Sequence, residues 1–212
     1  MKKLFLLLGL LLGIASAEAQ IPAEVTEVMN KCRAAMVNPN GLEYEMDMKV
    51  GMGPLAMKMH FVIADKGNLN RTAMTMKIMG IEVTTESGFD GTDTWEIEHS
   101  SKSDTITITP GDKRKKSKGD LSFDLDKQYR KAKMKLKDGY YEITFSEPTS
   151  KDNEAKNVTV KISEKTYIMR EVRSGARGAK VKMNITKVRV GLKDSYFKLD
   201  LSKYPNAVVI RN

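Results

Sequence analysis

The chain has 212 residues, with 36 Lys+Arg against 27 Asp+Glu and a formal net charge of +9. At 41 % hydrophobic and 30 % charged residues it carries enough apolar side chains for one sizeable core, which excludes disorder as a description of the whole. A single Cys excludes an internal disulfide framework, and two His beside it offer no zinc cluster.

The first residues read as an address. Lys2 and Lys3 form a positive start, Leu4 to Ile14 is an apolar run, and Ala17-Glu18-Ala19 fits a small-residue cleavage pattern. Cleavage is expected after Ala19, with Ala15-Ser16-Ala17 as the nearby alternative. The run is too short to span a bilayer, which takes roughly 20 apolar residues. No Cys lies at the cleavage site, so lipid anchoring is not expected. The chain therefore divides into a signal peptide, 1–19, and a single exported domain, 20–212.

Pro22 opens a helical pattern in which Val25, Val28, Met29, Cys32 and Met36 recur at three- and four-residue spacing. It predicts one amphipathic helix over 22–37 and makes Cys32 a buried apolar side chain before it is a reactive thiol. From Leu42 the period becomes two. Tyr44, Met46, Met48, Val50 and Met52 share one face, then Leu55, Met57, Met59, Phe61 and Ile63. Met74, Met76 and Ile78 mark a third strand, and Ile81, Val83 and Thr85 a fourth. Trp95 and Ile97 follow, then a β-branched run at Thr105 to Thr109. Asp124 to Ala132 lacks the period and reads as a short helix or irregular crossover. Strands resume at Met134–Lys137 and Tyr141–Phe145 around Asp138-Gly139, a hairpin signal. Further runs lie at Val158–Ile162, Tyr167–Val172, Val181–Val190 and Tyr196–Leu201. Such a series predicts a mainly β (α+β) fold: one strongly curved antiparallel sheet or incomplete β-barrel, with an N-terminal helix and a short helical lid.

The inventory for chemistry is thin. His60 and His99 sit in strand patterns with no nucleophile or carboxylate at a recognisable spacing, and general-base work needs a positioned partner. No nucleotide-binding, nucleophile-elbow or zinc-protease motif occurs, so neither enzyme activity nor a cofactor or metal is expected. The 14 Met carry more information. Met46/Met48, Met57/Met59 and Met74/Met76 place paired thioethers on one face of three consecutive strands. Unbranched, polarizable Met suits a surface that re-packs around variable apolar guests. A plain Met-rich core is the other reading, and Cu(I) held by thioethers with help from His60 is a third. The basic run Lys113, Arg114, Lys115 and Lys116 reads as a solvated loop, or as attraction to anionic head groups or an acidic partner. Nucleic acid is not expected, since no stacking aromatics flank it.

Four features, taken in order, resemble the LolA/LolB family of periplasmic lipoprotein carriers. The helix at 22–37 leads into Leu42-Glu43-Tyr44, and two Met-rich strands precede Phe89-Asp90-Gly91-Thr92-Asp93-Thr94-Trp95. The hairpin Val158 to Val172 and the late segment Leu192-Lys193-Asp194-Ser195-Tyr196-Phe197-Lys198-Leu199 complete the set. The family's basic, Pro- and Trp-bearing strand segment is replaced here by Asp65 to Thr72, which marks a divergent member. The resemblance implies a monomeric periplasmic carrier that encloses the acyl chains of a lipid or lipoprotein and exchanges them with inner- and outer-membrane transfer complexes. It further implies that Arg71 helps hold a helical lid closed. The expected cavity lining is Met46, Met48, Met57, Met59, Phe61, Met74, Met76, Ile78, Trp95 and Ile97. Docking to membrane or partner falls to Lys113, Arg114, Lys115 and Lys116. An interaction or sensor module on the same fold, its cavity filled by its own side chains, is the alternative.

Overall fold

Helix α1 spans Ala23–Ala35, close to the expected range. The Pro22 carbonyl accepts hydrogen bonds from the Val25 and Thr26 amides at 2.9 and 3.2 Å, so the fixed φ of proline opens the first turn. A helix of 13 residues is marginal alone in water and is held by the face it buries. That face is Val25, Val28, Met29, Cys32 and Met36, all buried. The computed structural model describes residues 21–51, 56–78, 81–100, 103–113, 124–150, 155–176 and 179–212. The proposed signal peptide lies outside them.

Twelve strands follow: β1 (Leu42–Gly51), β2 (Met57–Lys66), β3 (Leu69–Ile78), β4 (Ile81–Phe89), β5 (Asp93–Glu98), β6 (Thr105–Pro110), β7 (Tyr129–Lys137), β8 (Tyr140–Pro148), β9 (Asn157–Ser163), β10 (Met169–Ala176), β11 (Ala179–Val190) and β12 (Val208–Arg211). A short helix α2, Leu125–Gln128, precedes β7. All strands belong to one sheet in the order β12-β6-β5-β4-β3-β2-β1-β11-β10-β9-β8-β7. Two meanders, β2 to β6 and β7 to β11, are joined where β1 pairs with both β2 and β11. Neighbours are antiparallel except β12, which runs parallel to β6. The sheet is curved and does not close. At the β7–β8 hairpin, Asp138 and Gly139 both have positive φ (53° and 76°), as a two-residue turn matched to strand twist requires.

Strand alternation divides the side chains between two faces. Helix α1 packs on one of them, against Met46 of β1, Ile143 and Phe145 of β8, Val158, Val160 and Ile162 of β9, Met169 of β10, and Met183 and Ile185 of β11. The chain after β11 crosses the opposite face. There Leu192 and Phe197 pack on Ala64, while Leu199, Tyr204 and Ala207 pack on Trp95, Ile97, Ile106 and Ile108.

Two sequence expectations are corrected here. Tyr196–Leu201 is not a strand: it is flanked by 3-10 turns at Asp194–Tyr196 and Leu201–Lys203. Asp200 Oδ1 accepts from both the Ser202 amide (3.2 Å) and hydroxyl (2.6 Å), a local bond that competes with a ladder. The last strand comes later, at Val208–Arg211. The irregular stretch from Asp124 is only one turn of helix, and β7 begins at Tyr129, five residues before the expected Met134.

Candidate functional site

The strand register assembles the methionines into rows on the face that carries α1. Reading across β11, β1, β2, β3 and β4, one row is Ile185, Met46, Phe61, Met74 and Thr85. The next is Met183, Met48, Met59, Met76 and Val83. Side chains directly opposite each other in such pairs have Cβ atoms about 5 Å apart, so the first row is a continuous apolar stripe as far as Met74 and the second as far as Val83. Val50 pairs with Met57 where the β1–β2 hairpin ends, and the backbone of Ile78 pairs with that of Ile81 where the β3–β4 hairpin ends, the Ile78 side chain lying outside what the structure describes.

Burial falls steadily along these rows. Met183 and Met46 are 2 % and 1 % exposed beneath α1. Met48 and Phe61 are half-buried against the same cluster. Met59, Met74, Met76 and Val83 are also half-buried, while Met57 and Ile81 are 38 % and 68 % exposed. The helix therefore covers the β8–β11 side of its face and leaves the methionine-bearing β2–β4 side open. Val83 and Ile81 belong to this surface and were not among the residues expected there, although their alternation with Glu82 and Thr84 carried the signal.

Trp95 and Ile97 do not join it. Trp95 pairs with Gly88 and Ile97 with Glu86, which places both on the opposite face from Met74 and Met76. They form a small core of their own with Ile106 and Ile108. That face also supplies the partner a buried polar group needs. The Trp95 indole N–H donates to the Phe197 carbonyl at 3.2 Å, a partner found only beneath the C-terminal crossing.

Arg71 also differs from expectation. It lies on this opposite face, and its hydrogen-bond and ring partners belong to neither helix. It donates to the Glu86 carboxylate at 2.6 Å and to the Tyr196 carbonyl at 3.3 Å, with its guanidinium over the Trp95 and Tyr196 rings. Arg71 is a clasp for the C-terminal crossing rather than a lid contact. A second clasp lies beside it. Tyr196 donates its hydroxyl to the buried Glu43 carboxylate, and Arg189 donates to the same oxygen at 2.8 Å. Burial and this hydrogen bond push the Tyr196 hydroxyl up to about 12.

Both imidazoles lie against carboxylates. His60 Nδ1 lies 2.8 Å from Asp47, on the face away from Met59. It cannot assist a thioether site there, which removes the support it lent to copper. His99 sits between Asp104 (3.1 Å) and Glu86 (3.6 Å), beside the Tyr204 ring. Among the described residues no group of three or more His, Cys, Asp or Glu side chains is placed to hold a metal ion. Lys113 is exposed, and its amide donates to the Thr94 hydroxyl at 2.9 Å. Arg114, Lys115 and Lys116 lie outside the described residues.

No family model and no curated protein matches the sequence. Solved structures do. An uncharacterized conserved protein from Thermus thermophilus is similar at 9 % identity over 89 % of this chain and 99 % of that one, with a TM-score of 0.51. LprF from Mycobacterium bovis is similar at 9 % identity over 79 % and 94 %, TM-score 0.46. A LolA superfamily protein from Nitrosomonas europaea is similar at 10 % identity over 82 % and 97 %, TM-score 0.37. The likeness to the Thermus thermophilus protein is one of fold alone: a long, curved, unclosed antiparallel sheet with few helices.

Proposed function

We propose that this protein is an exported carrier that shields the acyl chains of a lipid or lipoprotein during transit through the periplasm. The observation that carries this reading is the graded methionine surface. A folded chain gains by covering Met59, Met74, Met76 and Val83, yet α1 stops short of them. An acyl chain laid on these rows would leave water at about 0.8 kcal/mol per buried methylene. Thioether side chains re-pack around guests of different length more readily than branched ones. Residues 20–212 act as one domain in this reading, released by cleavage near Ala19. Membrane-bound complexes load and unload it, and Lys113 to Lys116 contribute to docking. Its work is binding rather than catalysis. Among the described residues no helix is long and apolar enough to cross a membrane.

A second reading draws on α1 itself. Val25, Met29 and Cys32 are fully buried, so half of the face is filled by the protein's own side chains. An interaction or sensor module would fill the rest in the same way.

An environment-sensitive fatty-acyl probe separates the two. The carrier binds it at micromolar concentration or better, and Met57→Lys with Met76→Lys abolishes binding while circular dichroism stays near wild type. Unchanged binding in the double variant favours the interaction module. Native mass spectrometry of protein taken from its own periplasm then identifies any co-purifying acylated guest.

A further inference from the structure

On the face opposite α1, five basic side chains stand in one cross-strand row. Arg173 of β10 pairs with Lys182 of β11, Lys182 with Lys49 of β1, Lys49 with Lys58 of β2, and Lys58 with Lys77 of β3. All five are exposed. Five adjacent strands place the ends of the row about 19 Å apart, at about 4.8 Å per strand. Directly opposed like charges destabilise a sheet, and these lie closer together than the roughly 8 Å over which physiological salt screens them.

Among the described residues, counter-charge along the row is found at its two ends. Glu171 takes Arg173 at 2.6 Å and Lys182 at 3.1 Å, and Glu82 stands opposite Lys77 in the register. Asp47, one step along β1, is engaged by His60. Among the described residues no acid forms an ion pair with Lys49, Lys58 or Lys77. A sheet that merely needed a solvated face would alternate signs there, as it does at Lys135–Glu142 and Lys187–Glu45. The row also has a particular place. It crosses the sheet at the end where the β1–β2 and β3–β4 hairpins turn, and there Met57 and Ile81 expose apolar side chains on the other face.

We propose that this end of the sheet docks on an anionic phospholipid bilayer, with Lys49, Lys58 and Lys77 at the centre of the contact. A basic row meets phosphate head groups, while the exposed apolar residues beside it face the acyl region. An acidic protein would answer the charge but not the apolar residues at the same end. The docking surface is independent of what the methionine rows hold, and its test reads vesicle binding rather than acyl-probe binding.

The test is flotation of the protein, purified as its host exports it, with vesicles of phosphatidylcholine alone or of equal parts phosphatidylcholine and phosphatidylglycerol. The expected result is binding to the anionic vesicles only, weakening as salt is raised. The variant carrying Lys49→Gln, Lys58→Gln and Lys77→Gln should partition at least tenfold less. A control carrying Lys131→Gln, Lys133→Gln and Lys137→Gln, exposed on β7, removes the same charge elsewhere and should bind within about twofold of wild type. Equal losses in the two variants would reduce the effect to net charge and overturn the proposal. So would binding to polyglutamate without binding to anionic vesicles, which would assign the row to an acidic protein. Acyl-probe affinity measured on the same variants should not move.

Discussion

Gly88 lies directly opposite Trp95 on adjacent strands, and a Cβ at Gly88 would stand 2.5 Å from Trp95 Cζ2 and 2.7 Å from the Asn70 carbonyl oxygen. The indole occupies the space that a side chain at this position would need, so any other residue must displace it. Gly88→Ala should therefore cost about 1–3 kcal/mol by overpacking, read as a lower urea midpoint. Trp95→Phe should also destabilise, because it leaves the Phe197 carbonyl without its donor. The smaller ring makes room for the new methyl, so the double variant should lose less than the sum of the two. Simple additivity would show that the ring and the glycine are not in competition.

Cys32 is fully buried, and burial pushes its thiol up to about 11. The folded protein then keeps this proton after the unfolded chain, whose thiol titrates near its ordinary value, has lost it. Stability is complete below that ordinary value and declines as pH rises towards 11. Cys32→Ala should flatten that alkaline decline, at the cost of a small cavity beneath α1. At pH 8 a thiol reagent should modify native protein only as fast as the helix face opens, and quickly in urea. Rapid labelling of the folded protein would refute the placement.

Sequence periodicity located the strands because apolar and polar side chains alternate along them, and in many this leaves one face more buried than the other, as Met46/Asp47/Met48 and Val158/Thr159/Val160 show. It could not locate Trp95, since periodicity fixes which residues share a face within a strand but not which face of the sheet that is. The parity between β4 and β5 is set by the turn at 90–92, where the Asp90 carboxylate accepts from the Thr92 and Asp93 amides. The C-terminal crossing was equally hidden. Tyr196, Phe197 and Leu199 look like a strand locally, and only long-range partners such as Glu43 and Arg71 hold them otherwise. The methionine surface was legible because it is built from alternation alone. Its open side was not, because the reach of α1 across the sheet is a tertiary fact.

Arg33 ties the last turn of α1 to α2. It donates to both oxygens of Asp126, at 2.7 and 3.0 Å, and the Asp126 side chain is only 5 % exposed. Removing the cation strands a nearly buried carboxylate, so Arg33→Met should cost about 2–4 kcal/mol, somewhat below a fully buried pair because Arg33 keeps contact with water. Arg33→Met with Asp126→Leu removes both charges and should recover most of that loss. A double-mutant cycle in urea measures the coupling. A coupling near zero would mean that α2 is positioned without this pair.

Strand β12 closes one edge of the sheet by running parallel to β6, with Val208 opposite Thr105 and Ile210 opposite Thr107. Its own side chains are all exposed, so it adds little to the core. What it covers is the backbone of β6. That strand reads Thr-Ile-Thr-Ile-Thr-Pro, a β-branched, uncharged segment whose free amides and carbonyls would template another chain. Deleting 208–212 should therefore leave the thermal midpoint within a few degrees of wild type, since Ile106 and Ile108 remain packed under Leu199, Tyr204 and Ala207. It should instead produce concentration-dependent self-association, visible by light scattering. Adding Thr107→Lys to the truncated chain places a charge on the uncovered strand and should suppress that added self-association. A truncated protein that associates no more than wild type at high concentration would show that the β6 edge is guarded by something other than β12.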